Sequence, residues 1–446
     1  MRNMKNMDGT NNKSRRKFIK NASMASGAMI LPSLGGHGMV NVFNEKKLKI
    51  ALVGCGGRGT GAANQALEAD DHVQLVAMAD LFEDQLNSSY GHLYDKYKDT
   101  GKINVKDKHK FVGFEGFKEA IDLADVVILT TPPGFRPYHF AYAIENDKHV
   151  FMEKPVATDA PGIRKVFETA KLADQKKLNV VVGLQRHYQE NYIKVNSLIK
   201  GGDLGKILSG QVYWNSSGVW VRQRQPGQSE LEYQMRNWYY FNWVCGDHIL
   251  EQHIHNIDIA NWFIGEYPVS AQGMGGRMVR KGPDHGEIFD HHFVEFTYPS
   301  GAVIASQCRH QPNTMYRVGE AFQLTNGRVD THDAGVAKIY NLDGEEIQSI
   351  GNSKGHNPYQ QEHNELFASI RNNTVINDAY NGAKSTMTAI MGRMATYSGK
   401  VIGWDEALAS DLQLMPEELS WDSPTPTSPD ENGNYPVPVP GQTKVL

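Results

Sequence analysis

Between residues 48 and 183, short unbroken apolar runs alternate with stretches in which apolar positions recur every three or four residues. The runs "LKIALV", "VQLVAMAD", "DVVILTTP", "HVFMEKP" and "NVVVGLQ" are rich in Val and Ile, as strands buried on both faces must be. The segments 59–68, 136–146 and 159–176 carry the helical period between them. Strand and helix in turn predict βαβ units around a parallel sheet.

Beyond about residue 185 the texture changes. A helical stretch over 189–200 leads into "ILSGQVYW", "FVEFTYPSGAVIASQC" and "AFQLTNGRVDTHD", whose two-residue alternation predicts a large antiparallel sheet. Residues 246–264 interrupt it with helical spacing, and 362–398 are again helical. The run "SPTPTSPDENGNYPVPVPG" cannot pair as a central strand and reads as a disordered tail or an extended arm laid on a neighbouring surface. The expected order is a leader and linker over 1–45, a parallel α/β domain over 46–185, an α/β domain with an open antiparallel sheet over 186–410, and a proline-rich arm over 411–446.

The 446 residues are enough for two sizeable cores. With 22% charged residues and a net charge of −4, the chain has no basic stripe for nucleic acid. Its three cysteines, Cys55, Cys245 and Cys308, form no CxxC pair and do not suggest a disulfide framework. The compartment is read instead from "SRRKFIK" at 14–20, followed by a short run of small residues too short to span a bilayer. It resembles the twin-arginine signal, which predicts export of an already folded protein to the periplasm with no membrane span left after processing.

"IALVGCGGRGTG" sets Gly54, Gly56 and Gly59 in a GxGxxG spacing, with Gly57 and Arg58 inside it, after an apolar strand and at the start of a helix. Glycine is needed there because the backbone must turn tightly and admit a pyrophosphate to the helix N-terminus. Asp80, 26 residues after Gly54 and at the end of the next strand, would accept hydrogen bonds from ribose hydroxyls and repel a 2′-phosphate. This Rossmann arrangement favours NAD, with Arg58 the residue that would accommodate NADP.

"HVFMEKPVA" places Glu153, Lys154 and Pro155 at the end of a parallel strand, where open α/β sheets bind their ligands. Together with "GCGGRG", "TPPGFRPYH", "GLQRHY" and "EQHIHNIDIANW", this ordered set resembles the Gfo/Idh/MocA family of glucose-fructose oxidoreductases and inositol dehydrogenases, over roughly 48 to 405. The resemblance implies reversible hydride transfer between NAD(P) and a secondary alcohol of a sugar or cyclitol. It also implies a nicotinamide site that includes Thr131, Pro132, Glu153 and Lys154, and a homodimer or homotetramer built through the open sheet.

"GDHILEQHIHNID" at 246–258 holds three histidines and three carboxylates. On one regular helix, His248, Glu251, His255, Asp258 and Trp262 share a stripe about 80° wide, while His253 faces away. Three readings follow: a metal held by His248, Glu251 and His255 with His291 or His292, a hydrogen-bonded polar cluster, or a proton-handling site. The spacing matches no established zinc pattern, so no metal is assigned. The resemblance favours proton handling, since the family's DxxxH motif falls on Glu251 and His255, with Glu in place of the more usual Asp and His253 where Gly is common. Lys154, His255 and Glu251 are therefore the expected catalytic set, with Glu251 fixing the imidazole.

Aromatic faces and forked polar groups suit a sugar. By position and resemblance, Arg186, Tyr188, Asn237 and Trp238 are the expected substrate contacts. Two further outcomes use the same residues: a glycosidase that oxidises transiently without net redox change, although the GHG-type glycosidase signature is absent, and a non-catalytic scaffold that binds dinucleotide or sugar.

Overall fold

The computed structural model describes residues 46–332 and 335–446, so the predicted export signal lies outside the described residues. The first sheet has six parallel strands: β1 Leu48–Val53, β2 Val73–Asp80, β3 Lys110–Val112, β4 Val126–Leu129, β5 His149–Met152 and β6 Val180–Val182. They lie in the order β3-β2-β1-β4-β5-β6. The chain therefore leaves β1 on both sides, and the crevice between the carboxyl ends of β1 and β4 is where such a sheet takes its ligand. The helices fall where the apolar period put them, at Gly57–Ala69, Arg136–Glu145 and Ala160–Lys176. Side chains such as Ile50, Leu52, Ile128 and Phe151 are wholly buried, which explains why these strands carry no polar alternation.

The second sheet has nine strands: β7 Ile207–Ser216, β8 Ser270–Gly276, β9 His291–Thr297, β10 Val303–His310, β11 Arg317–Leu324, β12 Gly327–His332, β13 Val336–Tyr340, β14 Glu346–Ile350 and β15 Ile402–Gly403. The order is β14-β13-β12-β11-β7-β10-β9-β8-β15. Contrary to an all-antiparallel reading, the central pair β7 and β10 runs parallel. The helix Ala379–Ser398 packs across β8 and β9, and residues 387–398 of it are buried without a break. A stretch buried on every face, with the Arg393 guanidinium satisfied by the carbonyls of Gly246 and Thr158, is enclosed on every side.

In two segments the structure adds detail to the sequence pattern. Residues 362–398 form two helices, and the first, Pro358–Arg371, lays Leu366 and Phe367 into the core of the parallel sheet against Ile50, Phe151 and Val181. The proline-rich arm lies on the body of its own chain. Tyr435 and Val445 are buried, the Gln234 amide donates to the Thr427 carbonyl (2.9 Å), and the Gly441 amide donates to the Ser398 carbonyl (2.7 Å). Among the described residues no helix is long and apolar enough to cross a membrane.

Candidate active site

The glycine loop is built as its spacing required. Gly54 has φ +95°, and a Cβ there would lie 2.6 Å from the Thr131 amide nitrogen. A Cβ on Gly59 would lie 2.0 Å from the Gly54 carbonyl oxygen, whereas those of Gly56 and Gly57 would meet nothing within 4 Å. Two glycines therefore let backbones touch, and two leave a bare wall that a pyrophosphate can approach. Gly59→Ala should abolish dinucleotide binding, because the helix must move off the strand. Titration of the purified variant with NADH, followed by fluorescence, checks this.

The loop opens into a cleft of about 1290 Å³ whose walls include Asp80, Thr131 and Pro132. The Asp80 carboxylate accepts from the amides of Cys55 (2.6 Å) and Phe82 (2.9 Å). Burial pushes its pKa up, and these two amides oppose the rise. Arg58 also lines the cleft, but its guanidinium is committed elsewhere. It pairs with Glu153 and with Glu362 (3.0 Å), donates to Gln65 (2.7 Å), and sits over the Tyr359 ring. Its charge is neutralised by these two carboxylates, so the case for a 2′-phosphate site weakens.

The second sheet's own chain roofs this cleft. After β7, residues 220–228 line it with Trp220, Arg222 and Gln223, and Trp220 meets Trp238 edge-on at 5.8 Å. Arg236 then fastens to the first domain, bidentate to Asp84 (3.0 and 3.2 Å) and 3.9 Å over the Phe82 ring. From the C-terminal arm, Trp421 packs on Phe82 and Phe114 at 5.8 and 5.1 Å. Nothing in the local sequence marked Phe82, Phe114 or Trp220 as parts of this roof. The density of aromatics in "RNWYYFNW" was the signal for part of this roof.

Lys154 meets Glu251, four residues before His255, and none of the three is on the wall of that cleft. The Lys154 ammonium donates to the Glu251 carbonyl (2.7 Å) and lies 3.6 Å from Glu251 Oε1. Burial pushes His255 well below the ordinary histidine range, and Lys154 is the charge that most reinforces this, ahead of Arg186 and Arg58. His255 is therefore neutral at neutral pH, as a proton acceptor must be. Its ring stacks on Trp214 at 6.0 Å. Among the described residues, three buried polar atoms here have no partner: Glu251 Oε2, His255 Nδ1 and the Tyr239 hydroxyl. Tyr239, which the sequence analysis missed, is close enough to Glu251 for that carboxylate to raise its pKa.

Five expectations are corrected. The segment 246–264 is two helices, His248–Glu251 and Ile254–Ile264, separated by Gln252 and His253. Side chains at the break are pulled to the sheet, with Gln252 bonded to His310 (2.7 Å) and His253 to Ser306 (2.8 Å), so the single stripe does not exist. Glu251 partners Lys154 and leaves His255 Nδ1 unpartnered, instead of fixing the imidazole. Arg186 is not free for substrate: it is buried in an ion pair with Glu320, whose second oxygen accepts from Tyr192 (2.9 Å). Tyr188 donates to Asp378 (2.8 Å) within the first core, and Asn237 is buried, bracing the roof through the Arg222 amide (2.9 Å) and the Asp284 carbonyl (2.8 Å). Of the four expected substrate contacts only Trp238 faces the cleft.

Among the described residues, the grouping with metal-ligand spacing is Asp247, His248 and His292, a different set from the one the sequence suggested. The Asp247 carboxylate already accepts from the amides of His248 and Phe289, from Tyr397 (2.6 Å) and from His248 Nδ1 (2.7 Å), with His292 Nε2 at 3.3 Å. A carboxylate so engaged anchors a hydrogen-bonded polar cluster, in which His248 Nε2 has no hydrogen-bond partner among the described residues.

His139, at the end of the "TPPGFRPYH" motif, also lines the cleft. It stacks 4.1 Å from Phe117 and lies 3.2 Å from the Thr131 hydroxyl, and burial pushes its pKa down to about 3. The unfolded chain binds this proton below about pH 6.5 and the folded chain does not, so its contribution to stability falls as pH drops through that window. In urea unfolding, the wild type should lose about 2 kcal/mol more than His139→Phe between pH 7.5 and 5. Parallel pH profiles would refute the assignment.

A model described as "Oxidoreductase family, NAD-binding Rossmann fold" matches residues 48–184, and one described as "GFO/IDH/MocA C-terminal domain" matches 192–324. The chain belongs to the Gfo/Idh/MocA oxidoreductase family. Among curated relatives, 2,7-anhydro-N-acetylneuraminate hydratase of Escherichia coli is 28% identical over 40% of this chain and 44% of its own length. Inositol 2-dehydrogenase of Burkholderia multivorans is 27% identical over 53% and 60%. The chain thus spans about half the length of the curated relatives it matches. In fold it is similar to scyllo-inositol dehydrogenase from Lactobacillus casei with bound NAD(H) and scyllo-inositol, with a TM-score of 0.61 at 19% identity over 81% of this chain and all of the other.

Proposed function

We propose that this family member is an exported enzyme that keeps NAD bound and moves hydride between it and a secondary alcohol of a sugar, cyclitol or glycoside. The observation that carries the proposal is the pairing of Lys154, just after β5, with Glu251, four residues before His255, on a turn that Arg136 joins to the Thr131 turn of the cleft wall. Gly56, Gly57 and Asp80 fit the pyrophosphate and ribose of NAD, and bound NAD would supply the hydride acceptor. His255 Nδ1 would take the carbinol proton, and the Lys154 ammonium, steadied by Glu251, would hold the oxygen as charge builds on it. The unpartnered Glu251 Oε2 and Tyr239 hydroxyl suit the neighbouring hydroxyls of a polyol. The latched roof supports a retained cofactor, which an enzyme working outside the cytoplasmic dinucleotide pool requires.

Mass spectrometry of the freshly purified protein should find NAD, and absorbance at the reduced nicotinamide band should respond to part of a panel of inositols, aldoses, glycosides and their keto forms. A preparation that carries no dinucleotide and binds none would overturn the reading. Because one relative is a hydratase by name, a redox-neutral outcome is the second reading. It predicts product release with no net change in that band.

Export rests on Arg15 and Arg16, and periplasmic recovery that disappears when both become Lys tests it. Assembly through the open sheet, whose strands expose Leu208 and Met274, is tested by light scattering on the purified chain.

A further inference from the structure

Arg136 opens the helix after β4 and is 1% exposed, yet among the described residues it forms no ion pair. Its donors go to backbone oxygens alone. Nη1 donates to the carbonyls of Glu153 and Pro155, both at 2.6 Å, and Nη2 donates to the carbonyl of Thr131. Nε has no partner. Glu153 and Pro155 flank Lys154, and Thr131 belongs to the turn after β4 that lines the cleft. One guanidinium thus joins the turn that carries the reactive ammonium to the turn that walls the cofactor cleft.

A buried charge held only by carbonyls is an expensive arrangement. Burial lowers the pKa of Arg136 to about 10 in spite of the nearby Glu153 and Glu251 carboxylates. Stability alone would be served more cheaply by an apolar side chain. What the guanidinium adds is shape: a rigid planar fork can hold three oxygens from two loops at fixed separation, and a lysine cannot.

We propose that Arg136 is a positioning residue of the hydride-transfer site, clamping the Lys154 turn to the Thr131 turn so that the ammonium stays in register with the nicotinamide crevice. This rests on the oxidoreductase reading above. Arg136 touches neither substrate nor cofactor in this account and acts through Lys154.

The test compares wild type, Arg136→Lys and Arg136→Met as purified, with the alcohol that the substrate panel selects. Arg136→Lys, which keeps the charge but cannot span three carbonyls, should lose about 100-fold in kcat, with KM for the alcohol and NADH affinity unchanged. Arg136→Met should lose more, so that lysine counts as partial rescue. If Arg136→Met fails to fold, Arg136→Lys is read alone. A kcat for Arg136→Lys within about threefold of wild type, where a misplaced group would cost about 100-fold, overturns the proposal. So does an equal loss in kcat, KM and NADH affinity, which marks a general folding defect.

Hydrogen exchange separates this proposal from the function it rests on. In Arg136→Lys the amides of 129–134 and 151–158 should exchange at least about tenfold faster, with the rest of the chain unchanged. If the wild type turns over nothing but these two turns loosen together, the clamp stands and the oxidoreductase reading falls. If they exchange as in wild type, the clamp falls.

Discussion

Replacing Lys154 with Met should lower kcat by about a thousandfold and leave NADH affinity nearly unchanged, the size expected if its charge steadies a developing oxyanion. The side chain is mostly buried and bonds to Glu251, so its removal also leaves that carboxylate without its ion-pair partner. His255→Gln should show a loss of similar size by a different route, since a neutral acceptor is removed while Lys154 stays. Because Lys154 holds down the pKa of His255, Lys154→Met also lets His255 hold its proton to higher pH. The acid limb of the remaining activity should therefore move to higher pH. Steady-state rates across pH, with the dinucleotide already bound, check both statements. A Lys154→Met protein that turns over within about tenfold of wild type would remove the lysine from the chemistry, since groups in that role contribute at least about 100-fold.

The second large effect falls on stability. Arg186→Leu should destabilise the fold by about 3–5 kcal/mol, because it strands the buried Glu320 carboxylate. Glu320 is wholly buried and accepts from Arg186, Tyr192, Asn256 and Thr331. With the cation gone, three neutral donors face a carboxylate that water cannot reach. Chemical denaturation of Arg186→Leu and Glu320→Gln measures the loss. If Arg186 contacted substrate instead, KM would rise while the unfolding midpoint held. That pattern would reverse the structural assignment.

The same residue shows where pattern reading stopped. "GLQRHY" marked a strand end facing the ligand side of the sheet, and the strand end is there. Nothing in the neighbouring residues announced Glu320, 134 positions away. Glu251 teaches the same lesson on a shorter scale. Helical spacing aligned it with His255, but the helix breaks at Gln252 and His253 because their side chains bond to β10. The glycine loop fared better. Its requirements are local, and the positions at which a Cβ would strike backbone are two of those the GxGxxG spacing named.

By itself, then, the sequence determined the parallel sheet, the glycine loop with Asp80, and the lysine turn, because each depends on residues within one strand, turn and helix. Only the tertiary structure decided that Lys154 meets Glu251, that Arg58 and Arg186 are tied to carboxylates, that Arg136 joins two turns, and that Trp220, Arg236 and Trp421 close the cleft. Those pairings join groups far apart in the chain, and which charge finds which partner is settled by how two sheets and an arm pack, a choice that local spacing does not encode.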